Sequence, residues 1–366
     1  MIEATRYALA LLVAWTHLWY SPIGWVGWQA VFAFYTLSGY LMTRVLQERY
    51  GFSLLGMRAF ALNRVLRLYP AYLSVAGVTL LMTFVLPLHN YIPTTRMPRN
   101  LLEWITNIIV VGQVGFDFGW GIDHTKLATT SWSLSIELVC YGLLAIYFAE
   151  SSKRLIALAV LGLILCVAST AYCASTGLNI YGPYCGQNRY GVLQAGFIPF
   201  AIGGLVYFHK DTVAAWVRRR VMHLTVAFVL FEVVSYFSEF FRWVFAPFIG
   251  SVGIAAFIAV STIKKDLRAD FIGRASYHLF IAHMSVVSII GTAGLTAFNG
   301  PIPFVVTIVL CLLLSAALVP MERNIEITRR RIAVEAREHA SRRVHDDGER
   351  EESSVRNPAI TKSQSR

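Results

Sequence analysis

Six ionisable side chains lie inside long apolar runs of this chain: Arg6, His17, Glu137, Glu232, Glu239 and His283. A charge held in hydrocarbon is costly, so each is first a candidate for chemistry. Arg6 and His17 are eleven positions apart. On a helix that spacing puts them within about 20° of one face and roughly 16 Å apart along the axis. One face then offers a cation at one end and a titratable imidazole, suited to acid–base work, at the other. A topology-setting arginine with an interfacial histidine is the plainer reading of the same pair. Glu137 stands in Ser131-Trp-Ser-Leu-Ser-Ile-Glu137-Leu-Val-Cys-Tyr141, at a depth similar to His17. A carboxylate there can orient an imidazole and stabilise its protonated form. It can equally pair with Ser131, Ser133 or another span. Arg64 and Arg67 are three apart, share a helix face, and form a guanidinium pair suited to phosphate. Ordinary cytoplasmic flanking accounts for Arg49 and Arg58, but less well for Arg67, which already stands in the apolar run. His283 reads as a hydrogen-bonded packing residue or a second proton carrier. Glu232 and Glu239, seven apart, would share a helix face lining an acceptor cavity.

The elements that must hold these residues are membrane helices. Hydrophobic residues make up 56% of the 366 residues, charged ones 14%, and mean hydropathy is +0.56. Soluble domains carry about 25% charged residues, so the composition points to lipid. A span needs about 20 apolar residues. Ten segments qualify: 4–20, 27–46, 66–87, 132–149, 155–174, 191–208, 221–241, 244–263, 275–293 and 301–320. An eleventh, 101–114, holds Glu103, Asn107 and Gln113 and reads as a re-entrant or interfacial piece. With the N-terminus inside, the cytoplasmic turns collect Arg49, Arg58, Arg64, Lys153, Arg154, Lys210, Arg218 to Arg220, Lys264, Lys265, Arg268 and Arg274. The other side has only Arg96, Arg99, Lys126, Arg189 and Arg242. That is the positive-inside bias, and counting 101–114 as a span would invert it. The expected fold is therefore all-α and polytopic, with about ten transmembrane helices and both termini cytoplasmic.

Residues 1–323 read as the transmembrane domain and 324–366 as a charged cytoplasmic tail. The tail would begin as a surface helix and be disordered beyond Asp346. The net charge of +11 sits between apolar spans, not on a basic globular domain, which argues against nucleic acid as a partner. The five cysteines show no metal-ligand spacing. Four read as small hydrophobes, and Cys173 and Cys185 are close enough in sequence to pair in an oxidising compartment. The first apolar run has no small-residue cleavage site and reads as a retained span.

Four patterns, in this order, resemble the acyltransferase 3 family of membrane O-acyltransferases. They are Arg6 to His17; Val31-Phe-Ala-Phe-Tyr-Thr-Leu-Ser38-Gly39-Tyr40; Arg64, Arg67, Tyr69 and Pro70; and the Trp132-Ser-Leu-Ser run that reaches Glu137 and Tyr141. Ser276-Tyr277 with His283 is a fifth match. The resemblance covers Arg6 to about Arg323. It departs from the family at Ala30, Val31 and Phe32, where Gly-Val-Asp often precedes a Phe-Phe pair. It implies ten spans in a bacterial inner membrane and a cytoplasmic acyl-CoA donor, usually acetyl-CoA, with no metal. The acceptor would be a polysaccharide or lipid-linked saccharide on the far side.

On that reading Arg6, Arg64 and Arg67 hold the phosphates of CoA. His17 is general base or transient acyl carrier, and Glu137 supports its imidazolium. Trp132, Ser133, Tyr141 and His283 are the substrate-binding candidates. A proton-coupled transporter or flippase of a lipid-linked sugar would instead use His17, Glu137 and His283 as a relay, and has no need of the Arg64/Arg67 pair. A scaffold subunit would depend on its tail.

Overall fold

Glycine sets the packing. The computed structural model describes residues 1–19, 22–114, 125–177, 190–261 and 270–356. Its elements are α1 (Ile2–Leu18), α2 (Trp25–Val45), α3 (Leu54–Met82), α4 (Leu101–Ile109), α5 (Ser131–Ile146), α6 (Ser152–Ser175), α7 (Phe197–Phe208), α8 (Lys210–Phe237), α9 (Glu239–Val244), α10 (Ala246–Val260), α11 (Asp270–Thr292) and α12 (Pro301–Arg356). Among the described residues there is no strand. Lipid tails are as apolar as leucine, so membrane helices associate where small residues let their backbones approach. A methyl group at Gly39 on α2 would sit 2.2 Å from the carbonyl oxygen of Phe200 on α7. One at Gly203 on α7 would sit 1.9 Å from that of Thr36, and one at Gly250 on α10 would sit 2.0 Å from that of Gln29. Three backbones therefore meet at α2, most of whose residues are buried.

Each of the ten expected segments contains a helix. Five helices are long and apolar enough to cross a membrane: 54–82, 152–175, 210–237, 271–292 and 301–335. The others fall short for identifiable reasons. Polar groups such as Arg6 and His17 on α1 and Gln29 and Arg44 on α2 lower their hydropathy, while α5, α7 and α10 have 16, 12 and 15 residues. Lys264, Lys265, Arg268 and Arg189, which entered the orientation argument, lie outside the described residues. So does Cys185. Cys173 is disulfide-bonded, whereas Cys140, Cys166 and Cys311 are free and buried.

The nine residues of α4 reach about 14 Å, half the hydrocarbon core. Its polar residues organise the surrounding loop. Glu103 accepts from the Arg99 backbone N–H at 2.6 Å, from Thr125 Oγ1 at 3.0 Å and from Arg96 at 3.3 Å. Asn107 donates to the Thr125 carbonyl at 2.6 Å and accepts from the Leu127 N–H at 2.9 Å. Gln113 accepts from Ser131 Oγ at 2.5 Å at the start of α5. On α3, the hydroxyls of Tyr69 and Tyr72 donate to the carbonyls of Ile109 and Asn107, tying down the C-terminal end of α4. That end turns through Val110, which is fully buried and held at φ 67°, a left-handed conformation rare for a β-branched residue.

Two expectations change. Ser238 separates α8 from α9, so Glu232 and Glu239 do not share a helix. Glu232 accepts from Trp25 Nε1 at 3.0 Å and Gln29 Nε2 at 2.7 Å and so pins α8 to α2; Glu239 is exposed. The terminal helix also continues past Asp346, running as one element to Arg356. It packs on α3 and α11, where Glu326 and Arg329 find partners.

Candidate active site

His17 lies in the last turn of α1 and His283 near the middle of α11, and those two helices pack together. The side chains meet: His17 Nδ1 is 2.9 Å from His283 Nε2, with ring planes 11° apart. The direction of this bond follows from the other side of His283. Its Nδ1 is 3.1 Å from the Leu279 carbonyl and 3.0 Å from the Phe280 carbonyl, and a carbonyl only accepts. Nδ1 of His283 therefore carries its proton. In a neutral ring its Nε2 is then the acceptor, and Nδ1 of His17 must donate. The lone pair of His17 is left on Nε2. His283 is fully buried, whereas His17 is exposed. The pair thus presents one basic nitrogen with its tautomer fixed from behind, the preparation a general base or nucleophile requires.

The sequence reading placed Glu137 behind His17, and the structure places His283 there. Glu137 instead accepts from Ser38 Oγ at 2.9 Å and Tyr141 OH at 3.2 Å, and the cations whose charges act on it are Arg6 and Arg64. Tyr141 belongs to that group. Ser133 is buried and donates to the Thr130 carbonyl at 2.8 Å within the first turn of α5, so its hydroxyl is already engaged. Thr130 Oγ1 is 3.0 Å from the Phe280 carbonyl, the same oxygen that His283 uses, and so joins α5 to the histidine pair. Trp132, two residues on, is half-buried beside Tyr190, with ring centroids 5.1 Å apart. Tyr190 also stacks near Phe32 and Trp28, which gives this end of α2 and α5 an aromatic wall.

The three chosen arginines differ from those that form ion pairs. Arg44, Arg96, Arg154, Arg274, Arg329 and Arg330 each pair with a carboxylate. Among the described residues Arg6, Arg64 and Arg67 form no ion pair, although all three are half-buried. Arg64 donates to Asn63 Oδ1 at 2.9 Å, and the Nε atoms of Arg6 and Arg64 are buried without a partner. Half-buried guanidinium groups that form no ion pair suit an anionic ligand.

A family model described as an acyltransferase domain, that of acyltransferase 3, matches residues 2–319. The chain belongs to this family. No curated protein and no solved structure matches it. In this membrane acyltransferase the histidine pair and the unpaired arginines both fall within the matched residues. Among the described residues no group of three or more His, Cys, Asp or Glu side chains is placed to hold a metal. Sequence reasoning underrated His283: its seven-residue distance from Ser276 gave no hint of a partner on α1. It missed Asn63 and Arg329, for which the only cues were the asparagine preceding Arg64 and the Glu326/Arg329 spacing in the tail.

Proposed function

We propose that the chain is a membrane-bound O-acyltransferase of the bacterial inner membrane, with ten spans and both termini in the cytoplasm. It moves the acyl group of a cytoplasmic acyl-CoA, acetyl-CoA or another short one, to a hydroxyl of a polysaccharide or lipid-linked saccharide on the periplasmic side. Residues 1–323 form the catalytic transmembrane domain, and 324–366 extend it into the cytoplasm. The observation that carries the reading is the exposed His17 with its tautomer set by buried His283.

In the proposed reaction Arg6, Arg64 and Arg67 bind the phosphates of CoA. The pantetheine arm covers the roughly 16 Å of helix between Arg6 and His17. His17 Nε2 removes the proton of the acceptor hydroxyl as the oxygen attacks the thioester carbonyl. The C–S bond then breaks, and the thiolate leaves with the proton from the imidazolium. In the acyl-enzyme variant the same nitrogen attacks the thioester first and the C–S bond breaks to release the CoA thiolate. The sugar hydroxyl then attacks the acyl-imidazole, the C–N bond breaks, and the hydroxyl proton passes to the thiolate. Glu137, hydrogen-bonded to Ser38 and Tyr141, offsets part of the charge of Arg6 and Arg64. Trp132 and Tyr190 supply aromatic faces for the acceptor. A proton relay is less well served by this arrangement, because the histidine pair ends on backbone carbonyls.

Mass spectrometry of surface glycans from cells with and without the protein tests the activity. The expected result is loss of acetyl mass steps when the protein is absent; unchanged glycans would refute the reading. Arg64→Ala with Arg67→Ala should raise the KM for acyl-CoA about a hundredfold, since each guanidinium–phosphate pair contributes a charge-assisted bond.

A further inference from the structure

The family match stops at residue 319, yet α12 continues to Arg356 and packs along α3. The two helices meet at a polar knot around Asn63, which is buried. Its side-chain oxygen accepts from Arg329 Nε at 3.2 Å and Nη2 at 3.1 Å, and its amide nitrogen donates to the Arg329 backbone carbonyl at 3.0 Å. The same oxygen accepts from Arg64 Nη2 at 2.9 Å. Glu326, one turn back on α12, holds Arg329 at 2.5 Å. Arg329 and Arg67 line one small cavity together with Arg274, Glu322 and Glu326.

An asparagine amide can turn over, exchanging donor and acceptor ends. Arg329 touches both ends, giving donors to the oxygen and a carbonyl to the nitrogen, so only one orientation satisfies it. That orientation turns the Asn63 oxygen towards Arg64. Two like charges around one oxygen would repel, but Arg329 is paired with Glu326, whereas Arg64 forms no ion pair. Resting on the donor-site reading above, we infer that Arg329 is a positioning residue of the donor site: it locks Asn63, and Asn63 aims the Arg64 guanidinium at a phosphate of the acyl-CoA. The donor site is then completed from beyond the part of the chain that the family model matches.

Equilibrium titration of free coenzyme A into the purified full-length protein in lipid nanodiscs tests this without an acceptor. Arg329→Gln should raise the CoA Kd about tenfold, the scale of losing a hydrogen-bonded positioning contact to a charged group. Arg329→Lys keeps the charge but cannot place two nitrogens on one oxygen, and should retain most of that loss. Arg331→Gln, the same charge change at an exposed neighbour, should bind as wild type. Adding Arg329→Gln to Asn63→Ala should cost no more than Asn63→Ala alone, because both act through one contact. Wild-type binding by Arg329→Gln, full recovery in Arg329→Lys, an equal loss in Arg331→Gln, or additive losses with Asn63→Ala would overturn the inference. The Arg64→Ala/Arg67→Ala protein separates it from its parent reading. If that protein binds CoA normally, the donor site itself is wrong; if it binds weakly and Arg329→Gln does not, only the role of Arg329 falls.

Discussion

Nδ1 of His17 donates to Nε2 of His283 across 2.9 Å, and the direction is imposed by the two carbonyls that accept from His283 Nδ1. A chain of three hydrogen-bonding groups thereby fixes where the lone pair of His17 resides. When Nε2 takes up a proton, the imidazolium already has a neutral acceptor at its other nitrogen. A carboxylate in that place would favour the charged ring more strongly; an imidazole orients it and leaves the base less committed to its protonated form.

His283→Phe should therefore reduce turnover without weakening donor binding. It removes the acceptor, frees the tautomer of His17, and leaves the arginines untouched. The expectation is a kcat lower by about a hundredfold, on the scale of a misoriented general base, with KM for acyl-CoA within about twofold. Steady-state kinetics with labelled acyl-CoA in isolated membranes separates the two constants. A change confined to KM would assign His283 to binding instead.

Gly39→Ala tests the packing around α2. The added methyl would lie 2.2 Å from a backbone oxygen of α7, which cannot swing aside as a side chain would. Overpacking of this kind costs about 1–3 kcal/mol. Gly77→Ala is the matched control, because nothing lies within 4 Å of its added carbon. Thermal unfolding in detergent should show a lower midpoint for Gly39→Ala and none for Gly77→Ala.

The loop before α5 should be acid-sensitive through Glu103. Burial pushes its carboxyl up, but the Arg99 N–H, the Thr125 hydroxyl and Arg96 outweigh that and hold it below the usual range. The unfolded loop then binds a proton that the folded one does not. Its contribution is fully present above the unfolded value, about 4.3, and is lost as pH falls through the depressed folded value. Proteolysis of the 88–131 segment, followed from pH 6 down to pH 3, should accelerate below about pH 4 in the wild type. Glu103→Gln should be cleaved faster at pH 6 and change little on acidification.

The five helices long and apolar enough to cross a membrane were legible as apolar runs between charges, and Arg6, Arg64 and Arg67 stood out because a guanidinium in or beside such a run needs a reason. Glu103, Asn107 and Gln113 marked α4 as unfit to cross, and they are the residues that tie it to its surroundings. What the sequence could not give was pairing across helices. Helical spacing says which residues share a face, but not which face of α11 meets α1, so Glu137 was set where His283 stands. Glu232 and Glu239 were misjudged because periodicity alone did not reveal the break at Ser238. Arg329 was hidden in a mixed-charge stretch that reads as solvated until α3 is laid beside it.

The most direct test of the central claim is the rate of acyl transfer from labelled acyl-CoA by His17→Gln, at matched protein level in the membrane and saturating donor. Glutamine keeps a donor for His283 but has no basic nitrogen. The account predicts a loss of roughly a thousandfold or more, as for removal of a general base or nucleophile. Transfer near the wild-type rate would contradict it.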